Sequence, residues 1–326
     1  MRFGDYSVGW SSGRASFTWG AAHAKPGSGA HRTGTDRGGK IESTRSQGRG
    51  PTPRRDAGVL LPHRLSQARR NTVEPGENGL TGMAMFSTSI EVGSDGWCTS
   101  WVPELPGCFV NVSSERAALR ALPAAILAYL RWLRRHGESV RVPRTVAVRL
   151  VERHARPEPM RWGNYEVLHG FERHRLTREE VSRMLRWMRF MRQDTLRLLD
   201  LLPAGGLNWS RPGQTRTIGE NLHHVARGEL WYLSRVALGP PPSVQHAEDP
   251  LLNLAQARST TVARLSRMTR EERGRIIQAD NRRWWSARKM LGRMLYHERY
   301  HVRSMARIAR HHRVRVPDGL GAWGRY

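Results

Sequence analysis

The chain has 326 residues, enough for two domains or one large domain, and its hydrophobic content of 38% predicts that part of it does not pack into a core. A formal net charge of +26 would ordinarily indicate nucleic acid or an anionic membrane surface as the partner. Because only three of the 54 basic residues are lysines and the arginines are spread along the whole chain, we expect most of them on solvated helix faces, and nucleic-acid binding is not favoured.

The first segment, residues 1–82, is rich in Gly, Ser and Arg and has no sustained hydrophobic period. Such a composition cannot bury enough apolar surface to order itself. Patterned sequence begins abruptly at Met83, so we interpret residues 1–82 as disordered, or as a mis-called extension of a chain that starts at Met83 or Met85. A disordered basic arm that touches nucleic acid is the alternative interpretation.

Residues 83–152 predict a small α+β domain. Ser113 or Ser114 can cap a helix over about 115–135, and Pro123 should kink that helix or split it into two pieces. Alternating apolar residues between turn signals indicate four strands, at 86–92, 97–102, 108–112 and 146–151.

This domain is similar to the HicB-like antitoxin fold. The similarity rests on the order strand, Asp-Gly turn, strand, then Val-Pro-Glu-Leu-Pro-Gly-Cys at 102–108, strand and helix. The resemblance implies a domain that neutralises a small toxin and is followed by a DNA-binding element. No such element follows in this sequence, so a sensory or substrate-proximal role is equally consistent with it, and we expect a turn-forming role for Pro106 and Gly107.

A second domain is predicted after a mixed linker at 153–175. From Leu176 the periodicity is helical, and Thr177-Arg-Glu-Glu180 resembles a capping box. An antiparallel four-helix bundle over 176–314, followed by a tail at 315–326, is the simplest packing. The first helix is expected to end near 202, and the other three are expected to span about 218–238, 250–268 and 286–312.

The last helix carries His297-Glu-Arg-Tyr-His301, two imidazoles four residues apart on one helical face. A shared divalent cation would satisfy both, since two ligands at this spacing can reach a single ion. The pattern also matches the zinc-protease signature, but Ser304 and Arg307 stand where a longer form of that signature needs Gly and His. The alternative to a metal site is that His297 and His301 are ordinary, partly buried helix residues that hydrogen-bond their neighbours.

A third ligand is expected from the second helix of the bundle, which contains His223 and His224. Three protein ligands leave an open position for water or substrate, as in catalytic sites. The apolar stripe of this helix centres nearer His223 than His224, so the pattern alone does not decide between them.

Residues 176–312 are similar to the DinB/YfiT-like superfamily of metal-binding four-helix bundles. The matching segments include Thr217-Ile-Gly-Glu-Asn-Leu-His-His-Val-Ala226 and Arg288 to His301. The resemblance implies that His224, His297 and His301 bind a divalent metal such as nickel or zinc. It selects His224 over His223, because the family pattern has a Glu five positions after the ligand, here Glu229. We expect Glu229 to be a hydrogen-bonding or ion-paired group near the site and Glu298 to be a solvated neighbour.

The same resemblance implies chemistry with a low-molecular-weight thiol such as mycothiol or bacillithiol. The hypothesis is therefore a metal-dependent thiol S-transferase or hydrolase acting on a small-molecule substrate. The alternative is a non-catalytic, metal-stabilised binding module whose HicB-like domain engages a partner protein or nucleic acid. An aromatic-lined pocket beside the metal would favour the enzyme, and the candidates to line it are Trp231, Tyr232, Trp284, Trp285 and Tyr300.

The two cysteines, Cys98 and Cys108, provide neither a disulfide framework nor a zinc spacing, which favours a reducing compartment. No stretch approaches the roughly 18 apolar residues that indicate a transmembrane helix. We therefore expect a cytoplasmic protein without a membrane partner, and a homodimer is compatible with the sequence.

Overall fold

The computed structural model describes residues 82–161, 167–238, 249–279 and 283–320. Within them the predicted α+β fold is confirmed: a mixed four-stranded sheet with one helix comes first, and the helices of the bundle follow. The predicted extension lies outside the described residues up to position 81, as do residues 321–326 of the predicted tail.

The sheet has the order β3-β2-β1-β4. Neighbouring strands β1, β2 and β3 are antiparallel, whereas β4 returns parallel to β1 after the helix α1. Each predicted strand is found, although β4 continues beyond the expected end at 151. The elements are β1 (Met83–Val92), β2 (Cys98–Trp101), β3 (Phe109–Val112), α1 (Glu115–Arg135) and β4 (Thr145–Ala155).

Helix α1 begins after Ser114, whose side chain accepts a hydrogen bond from the backbone N–H of Ala117. The predicted split at Pro123 is wrong, because α1 is one element through that residue. A proline removes one backbone hydrogen bond from a helix. On either side of it, however, Leu122 and Ile126 are fully buried in the core, and this packing holds the two halves in one helix.

The bundle consists of α2 (Arg178–Leu199), α3 (Ile218–Ser234), α4 (Pro250–Ser266) and α5 (Ala287–His311). The capping box at the start of α2 is confirmed, since Thr177 and Glu180 exchange side-chain-to-backbone hydrogen bonds of 3.1 and 2.8 Å. Sequence patterning did not predict the short hairpin of β5 (Ile276–Gln278) and β6 (Trp284–Ser286) that precedes α5.

Two of the neighbouring helix pairs are antiparallel, as predicted. Asn221, near the start of α3, contacts His301 toward the end of α5, whereas Tyr232 near the end of α3 contacts Trp285 just before α5 begins. Helices α2 and α4 also run in opposite directions, because Met188 contacts Arg258 and the later Arg192 contacts the earlier Leu254.

The other two pairs, α2 with α5 and α3 with α4, are parallel. Glu180 and Thr195 of α2 bond Arg288 and Glu298 in the same order along α5. A long connection between α3 and α4 permits this arrangement, because residues 235–249 are numerous enough to span the length of the bundle. Helices α4 and α5 run in opposite directions, so the connection between them needs no such return.

The sheet packs directly on α5. Trp101 and Phe109 form an aromatic cluster with Tyr296, and Arg299 donates a 2.7 Å hydrogen bond to the carbonyl of Gly107. Gly107 has a φ of +84°, and a Cβ at that position would lie 2.9 Å from Leu295. The turn therefore does more than reverse the chain, because only glycine lets it approach the helix this closely.

None of the helices in the described ranges is both long enough and apolar enough to cross a membrane.

Candidate metal centre

The structure brings His224 of α3 together with His297 and His301 of α5. The antiparallel packing of these helices places the two α5 residues, one turn apart, opposite the single α3 residue. One ring nitrogen from each side chain lies within 4.8 Å of those of the other two. The three predicted ligands therefore form one cluster that could hold a single ion.

The cluster is poised in its neutral form. Burial, assisted by the charge of Arg216, lowers the pKa of His297 to about 4. Burial also lowers the pKa values of His224 and His301 well below their ordinary range, with neighbouring imidazoles adding to the effect. Neutral imidazoles have the lone pairs that a metal requires, so at neutral pH no proton has to be displaced before the metal binds.

Asn221 fixes which nitrogen of His301 is free. Its amide Nδ2 donates a 2.7 Å hydrogen bond to the carbonyl of Thr217, so its Oδ1 faces the ring and accepts from Nδ1 of His301 at 2.8 Å. The proton therefore sits on Nδ1, and Nε2 keeps the lone pair that a metal can use. Hydrogen-bonding partners of this kind orient histidine ligands in metal sites.

His224 and His297 face each other through their Nε2 atoms at 3.1 Å. Two ligands of a tetrahedral ion with metal–nitrogen bonds of about 2.0 Å are about 3.3 Å apart. The ring positions therefore fit a shared ion with little rearrangement. His223 points elsewhere, with Nδ1 2.9 Å from the amide nitrogen of Asn253 on α4.

Gly228, one turn after His224, makes room for His297. A Cβ at Gly228 would lie 2.5 Å from Cε1 of His297, closer than real contacts allow. The absence of a side chain on α3 is thus what lets the imidazole from α5 enter the cluster. Neither Gly228 nor Asn221 was predicted from the sequence, because their roles depend on the register of α3 against α5.

Gly228→Ala should therefore push His297 out of place and weaken divalent-metal binding by roughly 10- to 100-fold, the range seen when the orientation of a ligand is disturbed. Gly292→Ala on α5 is the matched control, because a Cβ there meets nothing within 4 Å. That control should keep its metal affinity and gain about 0.5–1 kcal/mol of helix stability. Titration of both variants with Zn²⁺ measures the difference, and equal affinities would contradict the steric role of Gly228.

Glu298 is not solvated, contrary to expectation. It is buried and bonded by Arg192, Arg258 and the hydroxyl of Thr195. Burial alone would raise the pKa of its carboxyl, but the two arginines outweigh burial and hold the pKa at about 2. A carboxylate engaged in this way is unavailable as the general base of a protease.

Glu229 is ion-paired, as one of its two predicted roles requires. It accepts from Arg258 at 2.7 Å and from Arg192 at 3.3 Å, so the same two arginines bridge Glu229 and Glu298. Each bundle helix supplies one member of this four-residue cluster, which we call the ion-pair ring.

Aromatic side chains border part of the metal cluster. The rings of Tyr232 and His297 are 5.6 Å apart, and those of Tyr300 and His301 are 5.5 Å apart. The rings of Trp231 and Trp285 contact that of Tyr232, whereas Trp284 is 48% exposed. Two of the five predicted aromatics therefore contact the histidines directly.

Residues 188–305 match the model of the DinB superfamily. The matched segment contains His224, His297 and His301, and the chain therefore contains a DinB superfamily domain at these residues. No curated protein and no solved structure matched the chain. The sheet domain lies outside the matched segment, so its resemblance to HicB-like antitoxins stays a prediction.

Proposed function

We propose that this protein is a divalent-metal-dependent enzyme, a thiol S-transferase or hydrolase, with His224, His297 and His301 as the metal ligands. The observation that carries the proposal is the composition of the cluster. Three neutral imidazoles converge, and no fourth His, Cys, Asp or Glu from the described residues joins them. Such a donor set leaves a coordination position for an exchangeable ligand.

A bound divalent ion would supply Lewis acidity, lowering the pKa of a coordinated thiol or water so that the nucleophile forms at neutral pH. Nickel and zinc both suit a donor set of imidazoles. The protein's own contribution is orientation: Asn221 holds the proton of His301 on Nδ1 and leaves Nε2 for a metal, and Gly228 makes room for His297.

Positive charge beside the cluster supports a site for anionic ligands or nucleophiles. Arg216 is close enough to depress the pKa values of all three histidines, and Arg227 adds to its effect on His224. Two guanidinium groups stabilise a thiolate, a hydroxide or an acidic substrate and disfavour a cationic one. Of the two nucleophiles, we favour the thiol on the similarity to DinB/YfiT-like proteins.

Cobalt-substituted protein tests this proposal directly. Glutathione, mycothiol and bacillithiol are each added to the Co²⁺ form, and thiolate coordination is detected as a sulfur-to-cobalt charge-transfer band in the near ultraviolet. We expect the band with at least one thiol, together with consumption of that thiol by an added electrophile. His223→Ala, which lies beside the cluster without joining it, should behave as the wild type does.

The enzyme proposal would be contradicted if the protein binds metal but shows no thiolate band, does not conjugate any of the thiols to the electrophile, and does not hydrolyse a panel of small esters and amides. That outcome would favour the alternative, a metal-stabilised module whose sheet domain engages a partner.

A further inference from the structure

We infer a second divalent-cation site in the sheet domain, formed by Glu152, His154 and His169. It lies outside the DinB segment and is independent of the function proposed for the bundle. Glu152 and His154 are two residues apart on β4, so both side chains project from the same face of the sheet. His169 approaches that face from the segment immediately before the short 3-10 helix Gly170–Arg173.

The three side chains are already close. Nε2 of His154 lies 2.6 Å from Oε1 of Glu152, and Nδ1 of His169 lies 3.7 Å from Oε2 of the same carboxylate. One ligand atom from each residue falls within 4.8 Å of the other two. This is the only such group besides the bundle histidines among the described residues.

The buried His169 ring is the observation that favours an ion at this position. Its Nε2 lies 3.1 Å from Oε1 of Glu91, an acceptor that also takes a hydrogen bond from the indole of Trp101. Because a carboxylate only accepts, the His169 proton is on Nε2. Its Nδ1 then carries a lone pair, and this fully buried atom has no hydrogen-bond partner.

The lone pair of His169 therefore faces a second acceptor, the carboxylate of Glu152, without a donor between them. Burying an unsatisfied polar atom of this kind costs about 1–3 kcal/mol. A second proton, on Nδ1, would form an ion pair with Glu152 but no hydrogen bond, since 3.7 Å is too long for an N–H···O hydrogen bond. A cation between the two groups would satisfy both.

The surroundings hold these ligands as metal sites usually do. Glu91 bonds the far nitrogen of His169, giving the carboxylate–histidine–metal arrangement that orients a ligating imidazole. The backbone N–H of Gly170 donates to both oxygens of Glu152 at 3.1 and 2.9 Å, which fixes the carboxylate.

Two imidazoles and one carboxylate select borderline divalent ions such as Zn²⁺, Co²⁺ or Fe²⁺, rather than Ca²⁺ or Mg²⁺, which prefer oxygen ligands. The side chains of His154 and Glu152 are 32% and 26% exposed, so solvent can reach the ion from this side. A bound ion would tie β4 to the segment that leads into α2.

Titration of the full-length chain with Co²⁺ after removal of metal by a chelator tests the inference. We expect the wild type to bind two equivalents, and the His297→Ala/His301→Ala variant to keep one. Adding His154→Ala to that variant should weaken the remaining equivalent at least tenfold and remove its visible absorption. Since His154 is partly exposed, this substitution should leave the fold intact, which circular dichroism checks.

His174→Ala is the matched control, because that side chain is exposed and lies five residues from His169. It should bind as the parent does. Glu91→Gln should weaken the second equivalent by about 10- to 100-fold without removing a ligand. The inference is overturned if the His297→Ala/His301→Ala variant binds no Co²⁺, or if His154→Ala binds as tightly as its parent.

Discussion

Replacing both His297 and His301 with alanine should remove divalent metal from the bundle. Two of three ligands are lost, and the remaining His224 cannot hold an ion alone. We expect the affinity of this site to fall by more than about 100-fold, the upper end of what disturbing a single orienting partner costs. Elemental analysis of protein purified with Zn²⁺ or Ni²⁺ should show one equivalent less than in the wild type.

Control variants separate ligand loss from general damage. His223→Ala removes an imidazole from the same stretch of α3, but its ring faces Asn253 rather than the cluster, so its metal content should match the wild type. Wild-type protein should also gain thermal stability on adding Zn²⁺, since a ligand that binds only the folded state stabilises it. Unchanged metal content in the His297→Ala/His301→Ala variant would refute the bundle site and, with it, the proposed function.

The three histidines could be predicted from the sequence because each belongs either to a local spacing pattern or to a family pattern. His297 and His301 follow from a spacing on one helix, which does not depend on how the helices of the bundle pack. His224 did not follow from the apolar stripe of α3, which centred nearer His223, and was selected only by family resemblance. A ligand at the edge of a stripe is invisible to periodicity, because periodicity reports only the average direction of burial.

Features that depend on packing between elements were either not predicted or predicted wrongly. Glu298 looked solvated because a carboxylate between His297 and Arg299 is ordinary on a helix surface, whereas its partners come from α2 and α4. Pro123 was expected to kink α1 or split it, but α1 is one element through Pro123, with core contacts on both sides of that residue. The cluster of Glu152, His154 and His169 requires knowing that residues 167–173 fold back over the β4 face.

The second large effect is expected at the ion-pair ring of Arg192, Glu229, Arg258 and Glu298. The two glutamate side chains are only 4% exposed, so removing one leaves buried guanidinium charge without its partner. We expect Glu298→Ala to lower the free energy of unfolding by about 3–5 kcal/mol. Urea denaturation followed by circular dichroism measures this loss.

Arg153→Gln provides the comparison, since it removes the partner of Glu115 from an ion pair at the surface, where the Arg153 side chain is 50% exposed. Exposed pairs contribute about 0–1 kcal/mol, so the difference between the two variants isolates the effect of burial. Glu298→Gln keeps the shape and loses the charge, and should fall between the wild type and Glu298→Ala.

A double variant distinguishes charge balance from simple loss of contacts. Arg258→Met combined with Glu298→Leu removes one positive and one negative group and leaves Arg192 paired with Glu229 at 3.3 Å. Because no uncompensated charge remains, the double variant should be more stable than Glu298→Ala despite carrying more substitutions. If instead the stability losses of Arg258→Met and Glu298→Leu simply add in the double variant, the four residues act as independent hydrogen bonds. In that case the interpretation that their balanced charges join the four helices is wrong.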